Sequence, residues 1–172
     1  MDKVSIAGVV LAGGCSSRMG QDKALLDYNG RPLLDHMIDL LQKMGVADIY
    51  VSGNYEGYHC IPDSEPCNGP AEAIQGVMKE LNGHDGALFV PVDMPFLTQD
   101  VLHILLAQEG GAFFKDRPLP AFIKQPCSGI IASSVHALLE ELGVPSVFLP
   151  EEFESLMANI NTQKEWQEAI RA

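Results

Sequence analysis

Leu11-Ala-Gly-Gly-Cys-Ser-Ser-Arg-Met-Gly-Gln-Asp-Lys23 follows directly on Val4 to Leu11, a short run rich in valine and isoleucine. Such a run, closed by Ala12, Gly13 and Gly14, reads as a buried strand entering a glycine loop. Gly13 and Gly14 can take up backbone conformations closed to other residues and let a ligand approach bare main chain. Successive N–H groups in such a turn form a nest for phosphate oxygens. Arg18 adds a planar fork of donors and Lys23 a compact charge, together suited to a triphosphate. The spacing is not that of a Walker A loop, since no Gly-Lys-Ser or Gly-Lys-Thr occurs, and glycines at 13, 14 and 20 do not make a G-x-G-x-x-G fingerprint. The competing explanation is a solvated turn with incidental charge. Against it, a glycine-rich loop with two cations is costly to order without a ligand.

Outward from that loop, strand and helix signals alternate. Asn29-Gly30 marks a turn, and Pro32 suits the first turn of a helix carrying Leu33, Leu34, Met37, Ile38, Leu41 and Met44, closed by Gly45. Ile49 to Ser52 reads as a strand, 53–69 as loop with a small strand at Cys60-Ile61, and Pro70 to Leu81 as a helix. Ala87 to Val92 is a second buried strand, and Thr98 is placed to cap a helix through Gln108. Gly111 to Phe114 and Pro120 to Lys124 are expected to be antiparallel strands, Ile131 to Leu142 a helix, and Ser146 to Leu149 a strand. Glu151 to Met157 is expected as a short helix, with Thr162 capping a last one through Ile170. Alternation of this kind predicts an α/β fold, a mostly parallel sheet with helices on both faces, formed as one domain over residues 1–172. Ligands in that class sit at the carboxyl ends of the strands, where the strand order reverses.

Pro91-Val-Asp-Met-Pro95 is the second signal. Asp93 falls just past a buried strand, at the sheet edge where ligands bind. A carboxylate beside phosphates repels them unless a cation intervenes, so this hard oxygen ligand points to Mg²⁺. The alternative role is a cap for the helix near residues 96–98. The sheet brings both motifs to one edge.

Composition narrows the function classes. The 172 residues hold 11 Lys plus Arg against 23 Asp plus Glu, a formal net charge of -12. That balance disfavours a sequence-independent nucleic-acid binder and a polybasic membrane anchor. No window approaches the ~20 apolar residues of a membrane helix, and the first residues lack a signal-peptide pattern. Cys15, Cys60, Cys67 and Cys127 form no C-x-x-C pair, so zinc or dithiol chemistry is not indicated, and free thiols in a cytoplasmic protein are expected. His36, His59, His84, His103 and His136 are tied to no motif and are expected to be structural or solvent-facing.

At these two motifs the chain resembles the molybdenum cofactor guanylyltransferase family and its nucleotidyltransferase relatives. The family opens with a strand and Leu-Ala-Gly-Gly-x-Ser-x-Arg-Met-Gly-x-Asp-Lys, matched throughout by residues 11–23. The resemblance implies a three-layer α/β/α, Rossmann-like nucleotidyltransferase fold. It implies transfer of GMP from GTP to the phosphate of molybdopterin, with pyrophosphate released. On the matching positions it implies nucleotide binding by Leu11, Ala12, Gly13, Gly14, Asn54 and Asp63. Arg18 and Lys23 would hold phosphates, Asp93 would bind magnesium, and Asn159 and Asn161 in Asn-Ile-Asn-Thr would shape the acceptor side. The family's Gly-Pro-Leu-Ala-Gly stands here as Gly69-Pro-Ala-Glu-Ala73, and its cysteine before the metal aspartate as Val92. In relatives, basic residues follow the fourth helix and face the pterin, whereas Leu142 to Val147 has none.

The reaction so implied is in-line attack of an acceptor phosphate oxygen on the α-phosphorus, with Mg²⁺ as cofactor. GTP and molybdopterin are then the partners, with transient contact to molybdoenzymes or other cofactor-biosynthesis proteins. The residues leave two alternatives open: the same chemistry with CTP or another triphosphate or acceptor, and a nucleotide-binding accessory protein without turnover.

Overall fold

The structure, a computed structural model, describes residues 4–14, 20–65, 67–124 and 126–172. Its strands are β1 (Ile6–Leu11), β2 (Asp27–Tyr28), β3 (Arg31–Pro32), β4 (Asp48–Ser52), β5 (Cys60–Ile61), β6 (Gly86–Pro91), β7 (Ala112–Phe114), β8 (Arg117–Ile123) and β9 (Ser146–Val147). Its α-helices are α1 (Leu33–Lys43), α2 (Pro70–Glu80), α3 (Gln99–Leu106), α4 (Val135–Glu141) and α5 (Gln163–Ala169). Seven strands form one sheet in the order β5-β4-β1-β6-β8-β7-β9. Neighbours are parallel except at β8, which runs against both β6 and β7.

Side-chain alternation along the strands divides the core in two. Val10, Leu88, Val90, Phe114 and Phe122 point to the face covered by α1, α3 and α5. Ala7, Val9, Phe89, Phe113 and Ile123 point to the face covered by α2 and α4. Each strand residue thus changes face with the pleat, and two helical layers are needed to bury both. The amphipathic repeat of Leu33, Leu34, Met37, Leu40 and Leu41 supplies one such layer.

The chain reverses direction across the sheet at its centre. From β1 it passes through α1 to β4 on one side, then through α2 to β6 on the other. The β1/β6 boundary is therefore the topological switch point, where the carboxyl ends of adjacent strands splay into a crevice.

Local chemistry departs from expectation at several elements. Asp27–Tyr28 and Arg31–Pro32 form a small antiparallel hairpin around Asn29 and Gly30, both at positive φ. The fourth α-helix begins at Val135, because the Ser134 hydroxyl accepts the Ala137 N–H and caps it there. Ile131 is consequently outside the helix and 97% exposed. The short helix expected over Glu151–Met157 is present with those bounds, as a 3-10 helix. Thr98 stands at the N-cap of α3, but its hydroxyl makes no capping bond. Thr162 caps α5 as expected, in a full capping box with Glu165. Cys60 and Cys127 form no disulfide, as expected, but Cys67 is disulfide-bonded, against the expectation of thiols throughout. Burial raises the Cys127 thiol to about 11, which keeps it protonated and inert. No described helix is long and apolar enough to cross a membrane.

Candidate active site

A cleft of about 940 Å³ opens at the switch point, lined by Leu11 to Gly14 after β1 and by Pro91 to Met94 at the end of β6. Lys23, Asn159 and Asn161 also line it, as do Asp116 to Leu119 and Ser133 to His136. Its volume is at the upper end of small-molecule sites, enough for a nucleotide with a second substrate beside it.

Lys23 is the first residue of a 3-10 turn, Lys23–Leu25, capped by Asp22, whose carboxylate accepts the Ala24 N–H at 3.0 Å. The turn aims Lys23 Nζ at two hard oxygens, Asp93 Oδ2 at 3.2 Å and Asn161 Oδ1 at 3.1 Å. The Lys23 and Asp93 side chains are each 19% accessible, largely shielded and still reachable by a ligand. Asp93 is therefore not a helix cap. Its carbonyl accepts the Ile160 N–H at 2.8 Å, which lays the Asn159–Asn161 segment against the end of β6. Glu165 fixes that segment from the other side by accepting the N–H groups of Asn161 at 2.7 Å and Thr162 at 2.9 Å. These two backbone bonds hold its carboxyl below the ordinary value.

The first loop is held by β4 and the residues just beyond that strand. The N–H groups of Ala12 and Gly13 both donate to the Ser52 carbonyl, at 3.2 and 2.7 Å. The expected phosphate nest therefore does not include the Gly13 N–H, which already has a protein acceptor. Asp63 accepts the Ser52 hydroxyl at 2.7 Å and presses on Gly13, where an added Cβ would lie 2.1 Å from Asp63 Oδ2. A side chain at 13 would have to displace the Asp63 carboxylate. Asp63 is thus a neighbour of the loop and not a lining residue of the cleft, and Asn54 is exposed outside the lining. Arg18 and Cys15 lie outside the described residues.

Tyr55 is a functional candidate that carries no signal in the sequence. Its hydroxyl lies 2.9 Å from the Ala12 carbonyl and 2.9 Å from Asp22 Oδ2, tying the β1 exit to the Lys23 turn. Burial, then the Asp22 carboxylate, pushes its phenol well above the usual tyrosine range, so it remains a donor. His136 is likewise unmarked by any motif, and Arg117 opens Arg117-Pro-Leu-Pro-Ala-Phe122, a stretch that resembles the family's strand before the fourth helix but assigns the arginine no role. The signal that could find Arg117 is topological: Asp116 and Arg117 lie between β7 and the body of β8, at the ligand edge. Leu142 to Val147 is not part of the lining. Val144 is buried among α4 and β8 side chains instead, and the segment leads into edge strand β9.

Residues 8–143 match the family described as MobA-like NTP transferase domain. A molybdenum cofactor guanylyltransferase of Xanthomonas euvesicatoria pv. vesicatoria is 38% identical over 176 residues, covering 95% of this chain and 93% of that protein. The crystal structure of molybdopterin-guanine dinucleotide biosynthesis protein A from Archaeoglobus fulgidus superposes with a TM-score of 0.69 at 20% identity, covering 96% of this chain and 97% of that one. A nucleotidyl transferase from Methanothermobacter reaches a TM-score of 0.76 at 16% identity, covering 97% and 96%. At these identities the two structures speak to the fold.

Proposed function

The chain belongs to the MobA-like NTP transferase family, and on that premise we propose that it is a molybdenum cofactor guanylyltransferase. It transfers GMP from GTP to the phosphate of molybdopterin and releases pyrophosphate. The observation that carries this reading is the convergence of Lys23, Asp93 and Asn161 on one point of a cleft at the sheet's switch point.

An acceptor phosphate oxygen attacks the α-phosphorus while the bond to the β-phosphate oxygen breaks. The phosphate is already ionised, so no histidine base is required. The protein's task is alignment and neutralisation of charge. Lys23, with Arg18 from the same loop, holds the donor's phosphates. Leu11, Ala12, Gly13 and Gly14, with Asn54 beyond them, form the nucleoside side, and Asp63 supports Gly13 from behind. Asn159 and Asn161 border the acceptor.

Magnesium fits the donor set. Asp93 Oδ2 and Asn161 Oδ1 already address a single cationic centre, the Lys23 ammonium, and both are hard oxygens. Among the described residues no cluster of three or more His, Cys, Asp or Glu could hold a metal by itself. Asp93 would be the protein's carboxylate ligand, with substrate phosphates and water completing the shell. Bound there, Mg²⁺ would polarise the α-phosphate and stabilise departing pyrophosphate. A GTP-dependent enzyme of this kind works in the cytoplasm, in transient contact with proteins that deliver or receive the cofactor.

The test is mass spectrometry of the products formed from molybdopterin with GTP, CTP, ATP or UTP, with and without magnesium. The expected result is a guanine dinucleotide product formed only with GTP and magnesium. An equally abundant cytosine product, or no product at all, overturns the reading.

A further inference from the structure

We infer that Arg117 binds the phosphate of the acceptor, an assignment that rests on the guanylyltransferase reading. Arg117 opens β8, the one strand of the large sheet that runs backwards, so its start lies at the same edge as the carboxyl ends of β1 and β6. Asp116, at φ 65, makes the tight turn that delivers it there. Both residues line the cleft.

The strand order β4-β1-β6-β8 spreads the two substrates along this edge. Neighbouring strands are roughly 5 Å apart, so β8 lies about 10 Å from β1. The loop after β1 and the residues around Ser52 take the nucleoside. Asp93, just past β6, stands at the reacting phosphates. The next strand outward is β8, and in-line geometry puts the acceptor on the side of the α-phosphorus away from the leaving pyrophosphate.

Charge at that end of the cleft points the same way. Asp93 and Asp116 both line it, so an entering phosphate dianion needs a compensating cation. Among the described lining residues Lys23 and Arg117 carry the permanent positive charges, and Lys23 is engaged by Asp93 and Asn161. Arg117 Nη2 donates to Glu154 Oε2 at 2.5 Å, and Glu154 is its one side-chain partner among the described residues. The pair is partly exposed, at 40% and 49%, so solvent and ligand can reach it. Glu154 orients the fork from one side, and the remaining N–H groups are available for bidentate binding of a phosphate. The neutral Leu142–Val147 stretch lies off the cleft, so it neither supplies nor replaces this cation.

The test is steady-state transfer by the full chain under anaerobic conditions, with molybdopterin varied at saturating GTP and magnesium, for wild type, Arg117→Gln and Arg117→Lys. GTP binding is measured in parallel by titration, which also shows that each variant is folded. The expected result is an acceptor KM raised ~30-fold in Arg117→Gln, with the GTP Kd within about twofold of wild type. Arg117→Lys recovers part of that loss, because a point charge replaces a fork. The salt dependence of the acceptor KM is shallower in Arg117→Gln, as one ionic contact is gone. An unchanged acceptor KM in an active, GTP-binding Arg117→Gln overturns this inference and leaves the guanylyltransferase reading standing. So does a loss confined to GTP affinity. A wild-type enzyme that forms no guanylylated product overturns both.

Discussion

Lys23 Nζ lies 3.2 Å from Asp93 Oδ2, joining residues 70 positions apart in the chain across the switch point of the sheet. The contact links the glycine loop after β1 to the carboxylate after β6. It sets a cation and a hard anionic ligand side by side before any substrate arrives.

Lys23→Met and Asp93→Asn are each expected to lower pyrophosphate release by roughly 10²–10³-fold, the scale of losing one preorganised charge at a reacting phosphate. Stability should change by no more than about 1–2 kcal/mol, because each partner keeps contact with solvent. Turnover and denaturant unfolding on the same preparations check this. Near-normal turnover in both variants removes the pair from the chemistry.

Gly13→Ala is expected to destabilise the fold by about 2 kcal/mol, since the new methyl must displace the Asp63 carboxylate. The Ser52 hydroxyl holds that carboxylate at 2.7 Å, so the clash is not relieved by a free rotation. Adding Asp63→Ala should recover a large part of the loss. A double-mutant cycle by urea unfolding measures the coupling, and simple additivity refutes the steric account.

Legibility of the fold and the site depends on the range of each interaction. Val4 to Gly14 announces a strand and loop through adjacent residues, and Pro91 to Pro95 does the same for the second motif. The hairpin at 27–32 carries only the turn signal of Asn29-Gly30, because two-residue strands show no alternation. The helix expected from Ile131 starts at Val135 because a local cap at Ser134 overrides an apolar pattern that includes an exposed isoleucine. The Lys23–Asn161 bond spans 138 positions, and no periodicity reports such a distance. Tyr55 is invisible for the same reason: its partners Ala12 and Asp22 come from another part of the chain.

Tyr55→Phe should therefore act on the site without touching substrate. It removes the hydroxyl that joins Ala12 to Asp22, at a cost of about 1 kcal/mol, and raises the GTP KM several-fold with a smaller effect on kcat. Tyr55 also gives the sign of an alkaline effect. Its folded pKa is raised above the ordinary 10.0, so its stabilisation is complete below pH 10 and is lost as pH rises through the folded value. Tyr58, hydrogen-bonded to Asp35 and raised to about 12, works in the same direction between pH 10 and 12. Thermal melts should fall from pH 10 upward in wild type and fall less in Tyr55→Phe with Tyr58→Phe. An identical slope in both proteins contradicts the assignment.

Glu165 contributes to the acid limb. Two backbone N–H groups lower its folded pKa below the ordinary 4.5. Its contribution is therefore present above that value and is lost as pH falls through the folded one. The same carboxylate accepts the Asn161 N–H, so protonation should loosen the side chain that reaches Lys23. Glu165→Gln keeps the shape of the capping box but removes the charge. It should flatten the acid limb of the stability profile and lower turnover several-fold at neutral pH, with GTP affinity nearly intact. Stability between pH 3 and 7, measured beside the acceptor KM, separates this from a general weakening of α5. If the acid limb flattens while turnover stays at the wild-type level, Glu165 serves the helix alone and Asn161 is positioned by the Ile160 bond to Asp93.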